Sequence, residues 1–166
     1  MKKIMVIGIS AGVGKSTFAQ QLGNKMGIDV YHLDSYFWKP GWVEASHEEF
    51  TEAQERILAK GSWIIDGNYS NTFELRTKQA DTIVYLELPR YQCLYRVLKR
   101  YVKHIGKKRA DLGCTEKIDW EFIKFIWTTY KPRIHKMQER LNRLSKEKTV
   151  IILRGTKEIN GYINKL

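Results

Sequence analysis

Apolar residues recur along this chain with two different periods, and each change of period marks an element. Short, nearly continuous runs occur at 4–7 (IMVI), 63–65 (WII), 82–86 (TIVYL) and 150–153 (VIIL), and a mixed run, IDVYHL, occupies 28–33. Runs of this kind are expected of strands covered on both faces. Between them the spacing lengthens to three and four. Phe18, Leu22 and Met26 follow the first run, and Gly27 closes their helix. Phe50, Ala53, Ile57 and Leu58 share one face of a helix that Ser46 caps and Gly61 ends. Leu94, Val97, Leu98, Tyr101 and Val102 form a third stripe. From Trp120 a longer one runs through Ile123, Ile126, Trp127 and Tyr130, with a break or kink expected at Pro132, and resumes at Ile134, Met137, Leu141 and Leu144.

Strands alternating with helices predict right-handed βαβ units and a parallel sheet. The expected fold is α/β, three layers with a five-stranded parallel sheet between helices. Two stretches fit neither period. SYFWKPGW at 35–42 reads as an aromatic loop with Pro-Gly punctuation, and HIGKKRADLGC at 104–114 reads as a mobile loop. With 166 residues the chain suits one domain, 1–166, with insertions at about 35–60 and at about 104–119.

The first run leads straight into Gly8-Ile9-Ser10-Ala11-Gly12-Val13-Gly14-Lys15-Ser16-Thr17. Strand, glycine-rich loop and helix in this order form a phosphate cradle, and with it the expected fold is a three-layer phosphate-loop NTPase arrangement whose parallel sheet has the order 2-3-1-4-5. Loop amides point inward, the helix start adds a positive dipole end, and glycines allow close approach. The expected nucleotide-binding residues are Gly8, Ser10, Ala11, Gly12, Val13, Gly14, Lys15, Ser16 and Thr17. Lys15 would reach the β- and γ-phosphates and Ser16 would ligate Mg²⁺. The first glycine of the GxxxxGK[ST] pattern falls on Ile9, and Gly8 stands one residue early. Either the loop is one residue longer or its first position is not glycine.

Two strands end in carboxylates, Asp34 and Asp66, on the edge of the sheet where ligands bind in open parallel sheets. Asp34 can accept a proton from a substrate hydroxyl, hold Mg²⁺ through water, or cap a turn. Asp66 sits where an aspartate holds Mg²⁺ through water, although Asp-Gly is also an ordinary turn pair. Asn68, Tyr69 and Arg76 would flank an acceptor pocket, with Arg76 a candidate clamp. Trp38 and Trp42 can stack on a base or pin their loop to the core, and core packing is the favoured alternative.

Charge changes the picture through its distribution. The net charge is +11, yet residues 1–89 carry nine Lys/Arg against eleven Asp/Glu, whereas residues 90–148 carry seventeen against six. Such a segment can face nucleic acid, a membrane surface or nucleotide phosphates, or be solvated helix surface. Helix, basic loop and helix between two strands is also the layout of a lid that brings arginines onto transferring phosphates. Arg100, Arg109 and Arg133 are the candidates, in that order. Cys93 and Cys114 have no metal-ligand spacing. A reducing, cytoplasmic setting is expected, since the first apolar run is shorter than a signal sequence requires and no run approaches a membrane span.

The strings GISAGVGKST, YHLDSYFWKPGW, WIIDGNYS and ADTIVYLELP, in order over residues 8–89, with the looser DWEFIKFIWTTYKPR at 119–133, resemble the DNA topology modulation protein family. That family consists of small phosphate-loop proteins similar to adenylate kinases and other nucleoside or nucleotide kinases. The resemblance implies a nucleoside monophosphate kinase-like fold and ATP binding. Asp34-Ser35-Tyr36-Phe37 is similar to the segment of uridine kinase-like enzymes in which an aspartate serves as general base for an alcohol acceptor. Asp66-Gly67 followed by Asn68-Tyr69 looks instead like the DGFP-type segment of adenylate kinases, without its Phe-Pro pair.

The sequence therefore points to an ATP- and Mg²⁺-dependent phosphotransferase, with Lys15, Asp34, Arg100, Arg109 and Arg133 as catalytic candidates and Ser16 and Asp66 as the metal pair. Its partners would be a nucleoside triphosphate and a small polar acceptor, with the stretch at about 35–60 as the acceptor-binding insertion and that at about 104–119 as the lid. The competing reading is a nucleotide-binding regulator that contacts DNA through the basic segment, which contains no recognisable DNA-reading motif.

Overall fold

The computed structural model describes residues 1–104 and 120–166. The sheet is built from β1 (Lys3–Gly8), β2 (Val30–His32), β5 (Trp63–Asp66), β6 (Thr82–Glu87) and β7 (Thr149–Arg154). Its spatial order is β2-β5-β1-β6-β7, every neighbouring pair parallel. This is the expected 2-3-1-4-5 order. Ile4, Met5, Val6 and Ile7 are all fully buried, as a central strand covered on both faces must be.

Helices α1 (Lys15–Met26) and α4 (Phe73–Gln79) cover opposite faces. Gly23 of α1 packs so closely that an added Cβ would lie 2.4 Å from Val30 Cγ2 and 3.7 Å from Ile64 Cδ1. Thr77 of α4 donates its hydroxyl towards Met5 Sδ at 3.8 Å. Met5 is in register with Ile65, and Ile64 and Ile65 point to opposite sides by the alternation of a strand. On the α1 side, α7 (Gly155–Lys165) brings Tyr162 to 6.2 Å from the Phe18 ring. The spacing analysis misses α7, whose buried apolar residues are only Ile159 and Ile163, one turn apart.

The stretch at 35–42 is more ordered than a loop. Asp34–Phe37 forms the single-turn helix α2, and Trp38–Lys39 (β3) pairs antiparallel with Val43–Glu44 (β4) around Pro40-Gly41. Trp38 and Trp42 meet edge to face at 5.3 Å and are half-buried, so they hold the hairpin together instead of joining the core. α3 (His47–Leu58) starts at a capping box: Ser46 Oγ accepts from Glu49 N, and the Glu49 side chain accepts from Ser46 N. Lys39 Nζ reaches Glu49 Oε2 at 2.8 Å and fastens the hairpin to that helix.

α5 (Arg90–His104) and α6 (Trp120–Leu144) pack against each other, and α6 runs on through Pro132 without ending. Tyr130 of α6 donates its hydroxyl to Leu88 O at 2.6 Å, fixing the helix to the end of β6. Of the lid and loop expected from 104 onward, His104 ends α5, and residues 105–119, Arg109 among them, lie outside the described residues.

Candidate active site

β1 is the middle strand, with β5 on one side and β6 on the other, so the chain's direction of winding reverses at its carboxyl end and opens a crevice there. The glycine loop occupies that crevice. Gly12 and Gly14 have φ of 79° and 98°, values that side chains rarely tolerate. An added Cβ on Gly12 would lie 2.3 Å from Cys93 O, so the loop rests directly on α5. Gly14 opens α1, accepting the Phe18 N–H at 3.0 Å, and leaves the first amides of the helix for an anion. Lys15 is half-buried, and Ser16 and Thr17 are exposed on the first turn. The Ser10 Oγ is buried and has no hydrogen-bond partner among the described residues.

Ile9 follows directly on β1 and stays fixed to the sheet. Its N–H donates to Leu86 O at 3.0 Å, closing the last pairing of β1 with β6, and its side chain is 1% exposed. Gly8 is the glycine of close approach, because a Cβ there would meet Val13 Cγ1 at 2.5 Å and Lys15 Cγ at 3.1 Å. The loop therefore closes on itself through Val13, with its first glycine one position early. Asn68 holds both backbone groups of Gly8: Oδ1 accepts the Gly8 N–H at 3.0 Å and Nδ2 donates to the Gly8 carbonyl at 2.8 Å.

Asp66 ends β5 beside β1, in register with Val6 and His32. Two residues beyond Ile64, it points to the α1 side of the sheet, the side that carries Lys15 and Ser16. It is 4% exposed, and its Oδ1 lies 2.9 Å from His32 Nδ1. His32 is a site residue that the sequence analysis overlooks; only its place one residue before the Leu33-Asp34 turn pointed to it. After Asp66 the chain turns at Gly67, whose φ is 143° and whose Cβ would meet Leu33 Cβ at 2.8 Å. Gly67 thus serves packing of the β2 end.

Asp34 lies exposed at the start of α2, and Tyr69 donates its hydroxyl to Asp34 Oδ1 at 2.7 Å. Burial first, and then the Asp34 charge, push the Tyr69 phenol well above its ordinary range, so it remains a donor. Arg76 does not reach this space. It is 0% exposed and donates to Gly67 O, Tyr69 O and Thr72 O at 2.8, 2.5 and 3.3 Å, so it has no surface with which to clamp an acceptor. Burial brings its guanidinium down to about 10, still charged at neutral pH. Its work is to fix the loop that carries Asn68 and Tyr69.

Beyond Tyr69 is a cleft of about 310 Å³, lined by Phe37, Glu44, Ala45, His47, Phe50, Tyr69, Ser70 and Asn71. The Phe37, Phe50 and Tyr69 rings pack mutually at 4.8–5.2 Å between centroids and form its apolar side.

Of the candidate arginines, Arg100 is exposed on α5, and Arg133 lies on α6 with its guanidinium 4.5 Å from the Phe125 ring centroid. Arg90 and Arg140 are likewise laid over Trp127 and Phe73, at 3.7 and 4.2 Å. Arg96, which the sequence analysis does not single out, is in contact with the phosphate loop. Its Nη1 donates to Val13 O at 3.3 Å and its Nη2 to Thr156 Oγ1 at 3.1 Å. The signal was its helical phase, one turn before Arg100.

No protein-family model matches the chain, and no curated protein matches it significantly. Solved structures do. A "putative kinase" from Chloroflexus aurantiacus superposes with a TM-score of 0.59 at 12% identity, covering 99% of this chain and 97% of that one. Shikimate kinase from Bacteroides thetaiotaomicron gives 0.55 at 14% identity, over 98% and 94%. The chain has the fold of small phosphate-loop kinases. Among the described residues no helix is long and apolar enough to cross a membrane.

Proposed function

We propose that this protein is an ATP- and Mg²⁺-dependent phosphotransferase of the nucleoside/nucleotide kinase-like type acting on a small acceptor. The observation that carries the reading is the arrangement at the carboxyl edge of the sheet. A glycine cradle leads into Lys15, Asp66 stands on the same face one strand away, and Asp34 lies two strands away, roughly 10 Å at ordinary strand spacing. That span suits a nucleotide at one end and an acceptor at the other. The resemblance to the DNA topology modulation family belongs to this proposal as well; nothing in the site favours DNA as the ligand.

The residues present fit the groups this activity needs. The positive-φ glycines make a cradle that a Cβ would fill, and the unpartnered Ser10 hydroxyl is a donor kept inside it. The Ser16 hydroxyl and the second carboxylate oxygen of Asp66 are hard oxygen donors suited to Mg²⁺, with His32 orienting the carboxylate through its first oxygen. Among the described residues no group of three or more His, Cys, Asp or Glu could hold a metal ion. A bound Mg²⁺ would neutralise β- and γ-phosphate oxygens. Lys15 and the amides before α1 bind the phosphates, Arg96 braces the loop from α5, and Arg100, Arg109 and Arg133 are the candidates for charge stabilisation during transfer. Tyr69 orients Asp34 towards the acceptor.

The test is ADP release from Mg-ATP against a panel of nucleosides, nucleoside monophosphates and sugars, with Lys15→Ala as control. Wild type should bind ATP and turn over at least one acceptor, and Lys15→Ala should lose nearly all of both. Equal ATP affinity in the two proteins by calorimetry would remove the assignment.

A further inference from the structure

The cleft beside Asp34 carries a charge pattern that narrows the acceptor. Its apolar side is three aromatic rings, Phe37, Phe50 and Tyr69, which suit a planar heterocycle or the flat face of a sugar. Its rim offers the Glu44 carboxylate, the His47 ring, the Ser70 hydroxyl and the Asn71 amide, a set able to pair with amino, carbonyl and hydroxyl groups. No lysine or arginine is among the described lining residues. The cations nearby in sequence are committed elsewhere: Lys39 to Glu49 at 2.8 Å, and Arg76, fully buried, to three carbonyls.

The start of α3 borders the same cleft and by itself would attract an anion. Its capping box removes that attraction, because Ser46 Oγ takes the Glu49 amide and Glu48 and Glu49 place two carboxylates in the first turn. An acceptor phosphate or carboxylate there would meet Glu44, and Asp34 behind Tyr69, with only the His47 imidazole and no lysine or arginine among the described lining residues to offset them.

We propose that the acceptor is an uncharged, ring-bearing alcohol of the nucleoside type, and that the cleft selects against its phosphorylated forms; this rests on the phosphotransferase reading above. The acceptor hydroxyl oxygen forms the new bond to the γ-phosphorus, and the bond from that phosphorus to the β–γ bridging oxygen breaks. ADP leaves with the electron pair, and the hydroxyl proton passes to the Asp34 carboxylate and on to water.

The experiment uses the full chain with Mg-ATP and matched pairs of nucleosides and their 5′-monophosphates, in wild type and Glu44→Lys. Wild type should favour the nucleoside of a pair by roughly tenfold or more in kcat/KM, about 1.4 kcal/mol. Glu44→Lys should move that ratio towards the monophosphate by a similar factor. A wild-type preference for monophosphates, a ratio unmoved by Glu44→Lys, or turnover of neither member of any pair overturns the proposal. The reading beneath it is tested separately by Lys15-dependent ATP binding: if that is present while monophosphates are preferred, the acceptor assignment alone fails, and if it is absent, both fail.

Discussion

The Asn68 side chain completes the backbone pairing of Gly8, accepting its N–H at 3.0 Å and donating to its carbonyl at 2.8 Å. The loop that follows Asp66 is thereby fastened to the first residue of the phosphate cradle, which ties the two halves of the candidate site together. Asn68→Ala leaves two part-buried backbone groups unpaired, at a cost of about 1–3 kcal/mol. For a domain of this size the melting temperature should fall by roughly 2–4 °C per kcal/mol. Asn68→Asp keeps the acceptor but replaces the donor with charge next to the phosphates. It should weaken ATP binding by calorimetry more than Asn68→Ala does, and equal affinities in the two variants would show that the pairing is only structural.

Gly12 and Gly14 should fail differently on substitution by alanine. Both have positive φ, costing about 1–2 kcal/mol for an L side chain. At Gly14 the nearest atom to an added Cβ is the flexible end of Arg96, at 3.4 Å, whereas at Gly12 it is the Cys93 carbonyl oxygen at 2.3 Å, part of the α5 backbone. Gly12→Ala must push α5 away from the loop and should lose at least about 2 kcal/mol more than Gly14→Ala. Chemical denaturation of the two variants measures this directly.

The strands were legible because each central one is a nearly continuous apolar run, as expected when both faces are covered, whereas their order came from the phosphate-loop arrangement and not from the runs themselves. The insertion was less so. Trp38 and Lys39 pair with Val43 and Glu44 across Pro40-Gly41, but two-residue strands leave no period to read. In the site, glycine and carboxylate positions at strand ends could be placed from sequence, since they follow from topology. Contacts between distant segments could not: Asn68 to Gly8, His32 to Asp66 and Arg96 to Val13 join residues far apart in the chain. Arg76 looked like a clamp because its position followed a strand end, and only the packing of α4 shows it turned inward onto three carbonyls.

Asp34 and Asp66 have different partners, a tyrosine hydroxyl and an imidazole, and the proposed roles separate accordingly. Asp66→Asn can keep a hydrogen bond to His32 and should leave the fold intact while raising the Mg²⁺ concentration needed for half-maximal activity. Asp34→Asn should leave ATP affinity unchanged and lower kcat, by the 10²–10⁴-fold usual for loss of a positioned general base. Tyr69→Phe should show a smaller loss in the same parameter. Magnesium titrations and steady-state kinetics on the three variants read the difference; matching behaviour of the two aspartate variants in both assays would undo the division.

Cys93 is 0% exposed beneath the phosphate loop, and burial pushes its thiol up to about 11, against the pull of the Arg96 and Lys15 charges. Between the ordinary value of 9.0 and the folded value, the unfolded chain binds fewer protons than the folded one. The corresponding stability is therefore present below pH 9 and lost as pH rises towards 11, amounting to about 2–3 kcal/mol for a shift of two units. The stability difference between wild type and Cys93→Ala should shift against wild type over that window. At pH 8, in a Cys114→Ser background, the remaining thiol should react with an alkylating reagent only when α5 parts from Gly12. A nucleotide that holds the loop closed opposes that parting, so Mg-ATP at a hundred times its dissociation constant should slow labelling by about 100-fold. Labelling at an ATP-independent rate would mean that the loop and α5 open without disturbing the nucleotide, and that the contact at Gly12 plays no part in binding it.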